Sequence, residues 1–543
     1  MDRPAEVLDY GAFQHPLSRL FRAYLTGEAS VRPFFENDGR WDLESLSASA
    51  QRALALPRRR GELAEALVRQ QQARGGERAA AQARRLADDR AAAIVTGQQA
   101  GLFGGPLYVL YKAVAALELA ARLERERHAP VVPVFWVASD DHDFAEIRET
   151  AILDDSGQIR TLRYTPEREP VGAPASRIVL DQSITAVIEE LGRALPEGLH
   201  REDVLARLRE CYAPGATFSG AFARFLSSLL PELVVLDASD PALKAQMAPV
   251  MLREMTERSP TSRLAAEVGE KLLKAGFHQQ VAVRAGFLNL FLVMDNQRRA
   301  LASLNGEIEI RGLGRRIPLA EAERRLAEDP APWSPGVLLR PLAQDHILPT
   351  AAYVGGPAEI AYHAQIGPAY GHFAIPRPAL VPRPGLTLIE PAQARAMETE
   401  GLALPDLQTD PEALVARWAR EAYPELEAAF ARTRETLERE MGAVEVALAA
   451  LDPTLRGAAD SARGRALHQI ETLHQKSFRA LKKREQARAD RLRRTRDALL
   501  PGGLMQERGL GLISVVARRG PGVIDEIRQR VDPFARGHQV IYL

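Results

Sequence analysis

Cysteine is almost absent from this chain: Cys211 is the one example among 543 residues. That excludes an intramolecular disulfide and any metal site built from several thiolates. Net charge is absent too, since 71 Lys and Arg balance 71 Asp and Glu. Bulk electrostatics therefore favours neither a nucleic acid nor an anionic membrane as partner. No apolar run approaches the roughly 18 residues of a membrane span. The opening MDRPAEVLDYGAF lacks the basic-then-apolar pattern of a secretory signal. Together these absences point to a cytoplasmic enzyme or binding protein. Two phosphate-binding signatures are missing as well. GLFGG at 101–105 lacks the dinucleotide-fingerprint spacing, and no Gly-Lys-Ser/Thr follows it as in a P-loop.

What remains is a globular composition, 46% hydrophobic and 26% charged, long enough for two or three structural units. Residues 1 to about 90 carry apolar and alanine positions at helical spacing. AAAIVTG, from 91, then reads as a buried parallel strand, PLYVLYKAVAALELAARLERE as a helix and VVPVFWVAS as a second strand. LVVLDAS at 233–239 is a third, with a helix from Pro241. The fold class is therefore α/β with a parallel-sheet core. That core should span 1–405, with N-terminal helices and insertions near 150–230 and 278–325. QQVAVRAGFLNLFLV and GEIEIRGLGRRIPLA predict hairpins in the second insertion.

From 406 to 500 the pattern changes. Leu426, Phe430, Leu437, Met441, Val444, Leu448 and Leu451 form an a/d seam with charged flanks. LDPTLRG interrupts it with turn chemistry. Leu467, Ile470, Leu481, Leu492 and Leu499 mark a second, basic stretch. Two long helices joined by a tight turn make an antiparallel coiled coil, the first about 40 Å long at about 1.5 Å per residue. Such an arm suits a homodimer, and residues 501–543 should return to the core. The run from Lys476 to Arg496 holds ten Lys or Arg. It reads as a solvated helix face pairing with the acidic first helix, in preference to a phosphate or nucleic-acid site.

Polar groups gather where strands end, which is where open parallel sheets bind ligands. GQQAGLFGGPLYVLYK follows the first strand. Gln98 and Gln99 offer donors and acceptors without charge, and Tyr108 and Lys112 lie one helical turn apart. The second strand ends in Ser139, Asp140, Asp141, His142 and Asp143. Carboxylates beside an imidazole can take a proton from an amine; a solvated turn and a metal site are the other readings. A third cluster at 340–370 contributes Arg340, Asp345, Glu359, Tyr362 and Gln365. The last three recur every three residues as one helical stripe. Cys211, without a nearby cationic partner in sequence, reads as a buried filler.

GQQAGLFGGPLYVLYK, FWVASDDHDF, AYVGGPAEIAYHAQ and PGGLMQERGLG, in this order around a coiled coil, resemble the bacillithiol biosynthesis cysteine-adding enzyme family. The resemblance covers essentially the whole chain. It implies a Rossmann-type core related to class I nucleotidyl transferases, inserted connecting peptides and a coiled-coil dimerisation domain. It also implies a reaction: a cysteine ligase joining L-cysteine to the amine of glucosaminyl malate. The family places Glu where this chain has Asp140. The chain has neither His-x-Gly-His nor Lys-Met-Ser-Lys-Ser, so ATP or another nucleotide is suspected as the energy source without a signature to hold it. For that substrate, Gln98, Gln99 and Gln365 would read hydroxyls, and Lys112, Arg340 and Arg383 would clamp carboxylates. Asp141, His142 and Asp143 would orient the amine and remove its proton. Tyr108, Ser139, Asp140, Asp345, Glu359 and Tyr362 complete the expected substrate-binding set, with no metal. Two rival readings are a non-catalytic nucleotide- or sugar-binding coiled-coil dimer and a metal-dependent sugar-amide hydrolase.

Overall fold

Five short strands form the central sheet: β1 (Ala92–Gln98), β2 (Val131–Val137), β3 (Val234–Asp237), β4 (Thr350–Gly355) and β5 (Ala379–Pro382). In this computed structural model, which describes residues 5–14, 17–284, 286–484 and 486–543, all five pair in parallel. Their order is β3-β2-β1-β4-β5. The strands are buried almost end to end, which is why they read as unbroken apolar runs instead of alternating ones. The order is that of a Rossmann sheet: the chain builds outward from β1 on one side, then returns and builds outward on the other. The reversal falls between β1 and β4.

Strand β1 ends at a tight place. A Cβ on Gly97 would lie 2.6 Å from the Trp136 carbonyl oxygen of β2, so only glycine fits. The chain then turns through Gly104 and Gly105, both at positive φ, into helix α1 (Leu107–Arg127), which packs on β1 and β2. Helices Leu43–Leu54 and Arg60–Gln72 pack on β4 and β3 respectively. Helix α2 (Pro241–Thr256) follows β3. Helices α3 (Arg340–Ile347) and α4 (Pro357–Gln365) flank β4.

By compactness the chain divides into two units: one runs through Glu390 and resumes at Leu504–Leu543, the other is Pro391–Gly503. In the first, the segment between β2 and β3 holds the hairpin Glu149–Leu153/Ile159–Arg163 and the helices Ser183–Ala194, Arg201–Cys211 and Phe218–Leu229, besides a short one. Between β3 and β4 lies a five-stranded antiparallel sheet built on Phe287–Met294 and Gln297–Leu304. Its first expected strand does not form. Residues 278–284 stay irregular, because the Gln365 side-chain amide bonds both the N–H and the C=O of Val281, at 2.8 and 3.1 Å. The amide stands in for a strand partner. The last residues come back to this unit, where strand His538–Tyr542 pairs with Leu386–Ile389 and Glu6–Leu8.

The second unit contains α5 (Pro424–Leu451), α6 (Arg456–Arg484) and α7 (Gln486–Leu499). Asp452 and Pro453 turn the chain between the first two. Antiparallel pairing shows in His474–Glu427 at 2.9 Å, Arg434–Glu471 at 3.0 Å and Arg463–Glu445 at 2.9 Å. Arg488 and Arg493, from the basic run, pair with Glu400 and Glu412. In that run Glu485, and the side chains of Lys482 and Arg484, lie outside the described residues. No helix among the described residues is long and apolar enough to cross a membrane.

Candidate active site

A cavity of about 310 Å³ opens at the carboxyl ends of β1 and β4, where the strand order reverses. Lys112 of α1 lies at its base, only 1% exposed. Its ammonium donates to the Gly97 carbonyl and to Gln98 Oε1, both at 2.8 Å, and pairs with Glu359. All three ammonium protons are thereby used. Glu359 also accepts from the Tyr353 hydroxyl at 2.6 Å and the Gly356 N–H at 2.7 Å. Burial pushes the Glu359 carboxyl up, but Lys112 and these donors outweigh it and hold it below the usual range.

The partners fix the two glutamines in opposite senses. Gln98 must turn its oxygen to Lys112, which leaves its N–H groups for a ligand. Gln99 donates from Nε2 to Asp141 at 2.7 Å and to Glu146 at 2.8 Å, which leaves its oxygen. Together the pair offers a ligand both donors and an acceptor.

Three guanidiniums complete the lining. Arg340 donates to the Tyr362 hydroxyl at 3.0 Å and lies over the Tyr353 ring. Arg383, beside the Tyr108 ring, is held by buried Glu507 at 2.7 Å. Arg508 is exposed, and among the described residues no carboxylate pairs with it. It reaches the cavity because its segment docks on the turn after β1: Leu107 N–H bonds Leu510 C=O at 2.9 Å, and Leu512 N–H bonds Gly105 C=O at 2.8 Å. A second cavity of about 360 Å³ shares Pro357, Ala358, Arg383 and Arg508 with the first, and adds Tyr10, Phe13, Phe21 and His278.

The acidic end of β2 lies beside this cavity without lining it, and Gln99 joins the two. Asp140 pairs with buried Lys244 of α2 at 2.5 Å. Asp141 accepts from Gln99 through one oxygen and from the His142 N–H, at 2.7 Å, through the other. Asp143 caps the short helix Phe144–Ile147. His142 faces the inserted sheet, with Phe291 at 5.9 Å between ring centroids and an Arg298 nitrogen 3.4 Å from Nδ1. Burial, then the Arg298 charge, lowers its pKa, against Asp141 and Asp143. Among the described residues no three His, Cys, Asp or Glu side chains gather closely enough to hold a metal ion.

Of the residues singled out by sequence, Gln98, Gln99, Tyr108, Lys112, Arg340, Glu359, Tyr362 and Arg383 meet in the one cavity. Ser139 does not. It is buried and accepts from the Ser239 N–H at 3.2 Å. Asp345 is also buried away from the cavity, accepting from Gln344 at 2.8 Å and Tyr370 at 2.6 Å; burial raises its pKa. Gln365 is spent on Val281. Cys211 is buried, its thiol pushed up to about 11, which suits no nucleophile. Sequence reasoning passed over Arg508, Glu507, Lys244 and Arg298. The first two lie in PGGLMQERGLG, where their charge was a usable signal; the other two carry none.

A Rossmann-type parallel sheet with a cation-lined cavity at its reversal point, and an acidic cluster on the next strand end, defines an α/β protein with its ligand cavity at the topological switch point. Residues 7–384 match the model for "Bacillithiol biosynthesis BshC, N-terminal Rossmann-like domain", and residues 386–543 the model for its "C-terminal coiled-coil domain". The chain is 32% identical over 529 residues to the "Putative cysteine ligase BshC" of Salinibacter ruber, covering 96% of each. Proteins of the same name from Prosthecochloris aestuarii (96% of each) and Symbiobacterium thermophilum (96% of this chain, 97% of the relative) are also 32% identical. The chain belongs to the bacillithiol biosynthesis BshC family and is, with it, a ligase.

Proposed function

We propose that the chain joins the carboxyl group of L-cysteine to the amine of glucosaminyl malate, forming an amide. The observation that carries this is the charge of the cavity: Lys112, Arg340, Arg383 and Arg508 line it against one lining carboxylate, Glu359. A sugar bearing malate brings two carboxylates to such a surface, and guanidinium pairs with carboxylate bidentately. Gln98 and Gln99 supply the donor and acceptor for its hydroxyls. Asp141, tied to the cavity through Gln99, supports removal of the amine proton. The adjoining cavity gives room for a second reactant.

Amide formation from a free carboxylate is uphill in water, and ATP would supply the activation. The three guanidiniums suit a phosphate chain as well as they suit malate, and they are the residues that would hold it, with Lys112 fixing Gln98 and Glu359 beneath them. The test is incubation of the protein with glucosaminyl malate, cysteine and ATP, with and without chelator, followed by mass spectrometry. Amide product insensitive to chelator is expected. Substrate binding without product would leave a binding protein, and chelator-sensitive amide cleavage would leave a hydrolase.

The coiled coil supports a homodimer. Along its seam Leu426, Leu437, Met441 and Leu448 are half-buried, while Val444 is 45% and Leu451 79% exposed. Leu437→Glu with Leu448→Glu should give monomers by light scattering; a persistent dimer would move the interface elsewhere.

A further inference from the structure

Arg298 comes from the inserted sheet and is fixed on three sides. Its Nε donates to Ser334 Oγ at 3.0 Å and one terminal nitrogen to the Pro335 carbonyl at 2.9 Å; its plane lies 3.8 Å from the Phe291 ring centroid. The other terminal nitrogen reaches His142 Nδ1 at 3.4 Å. A guanidinium carries donors only and does not lose its proton in proteins. At this contact Nδ1 is therefore the acceptor, and the ring proton of the neutral imidazole sits on Nε2. Asp141 Oδ1 lies 3.8 Å from Nδ1, too far to take a proton from it. The other groups facing the ring are Asp143, from its own loop, and Phe291. Among the described residues no hydrogen-bond partner sits on Nε2.

We propose that Arg298 is a positioning residue that locks His142 as the neutral Nε2–H tautomer, so that the imidazole donates a hydrogen bond to the reacting carbonyl instead of taking the proton of the amine. This rests on the amide-forming reading above. As the amine nitrogen bonds to the activated carboxyl carbon, the carbonyl π pair moves onto oxygen, and the Nε2–H meets the charge that develops there. The amine proton goes to a carboxylate, Asp141 being the one tied to the cavity. The oxygen pair then re-forms the carbonyl and the leaving group departs with its bonding electrons. Burial and the Arg298 charge, which lower the affinity of His142 for a second proton, keep the ring neutral.

The test is ¹⁵N NMR of the full chain labelled at histidine, with His142→Phe to assign the signal. The wild type should show an unprotonated Nδ1 and a protonated Nε2 that persist below the pH at which an ordinary imidazole takes up its second proton. Arg298→Met should mix the tautomers, raise the His142 pKa and lower kcat at least ~10-fold with KM nearly unchanged. Arg298→Lys, which keeps a donor, should recover part of both. His142→Phe should cost about 10²–10³ in kcat, as for a lost oxyanion donor. An Nδ1–H tautomer in the wild type would overturn the proposal without any variant. So would an unchanged spectrum and pH profile in Arg298→Met, or full turnover in His142→Phe. Failure of the wild type to form amide would instead sink the proposed function and leave the tautomer measurement standing.

Discussion

Two neighbouring strand ends handle charge in opposite ways. At β1 and β4 the charge is cationic and enters from below: Lys112 is buried first and neutralised by Glu359, with Arg340, Arg383 and Arg508 around it. At β2 the charge is anionic and sits on the loop itself, while its cations, Lys244 and Arg298, arrive from a distant helix and an inserted sheet. In the first arrangement the cations face the cavity; in the second they are spent on the loop's own carboxylate and imidazole. Both rest on strands packed on either side, which gives the precision that loops alone lack. Gln99 is the hydrogen-bonded link between them.

The largest effect should come from breaking the cationic side. Lys112→Met strands Glu359 as a largely buried carboxylate without its cation, a loss of about 3 kcal/mol. Melting should reveal it, together with a fall in kcat/KM beyond ~10³. Adding Glu359→Gln should restore most of the stability and none of the activity; recovered activity would make the pair purely structural.

The same side should also be acid-sensitive. His538 stands behind the Arg383–Glu507 pair, and burial pushes its pKa down to about 4, with Glu507 working the other way. It is neutral in the fold, whereas the unfolded chain protonates it below about 6.5. Its contribution is present above that pH and is lost as pH falls toward 4, up to roughly 3 kcal/mol. Denaturant unfolding at a series of pH values should show this slope, and His538→Gln should flatten it. An equal slope in both proteins would assign the acid sensitivity elsewhere.

On the anionic side, Asp141→Asn should lower kcat about 10²-fold with little change in KM or melting temperature. Steady-state kinetics with an unchanged kcat would remove Asp141 from proton transfer. The smallest effect belongs to the joint. Gln99→Ala loses one uncharged contact to substrate, which predicts a KM rise of roughly 2- to 10-fold and a smaller fall in kcat. A larger fall in kcat than rise in KM would mean that Gln99 acts through Asp141 more than on the substrate.

Much of this was legible in the residues. Buried parallel strands announce themselves as apolar runs, so the ends of β1 and β2, and the polar groups there, could be located directly. The α4 stripe misled at one position. Three-residue spacing drifts by about 60° per step on a helix of 3.6 residues per turn, so by its second step Gln365 stands about 120° from Glu359 and off the cavity face. Asp345 failed for a related reason: five residues beyond Arg340, it points into the core. Lys244 and Arg298 were invisible because they act on residues 104 and 156 positions away. No periodicity links such partners; only the insertion's return to the sheet brings them near.

The way the chain re-enters its first unit has a topological consequence. Gln506 bonds both the N–H and the C=O of Leu388, at 2.8 and 3.0 Å. The whole of Pro391–Gly503 is therefore a loop thrown out between two residues that touch. A flexible loop of that length would carry an entropic cost of closure. A hairpin of antiparallel helices returns its own ends, so the core is rejoined across it as if by a short turn. The contacts that bring Glu507 and Arg508 to the cavity are thus made within the first unit, by Gln506 on Leu388 and by Leu510 and Leu512 on the turn after β1.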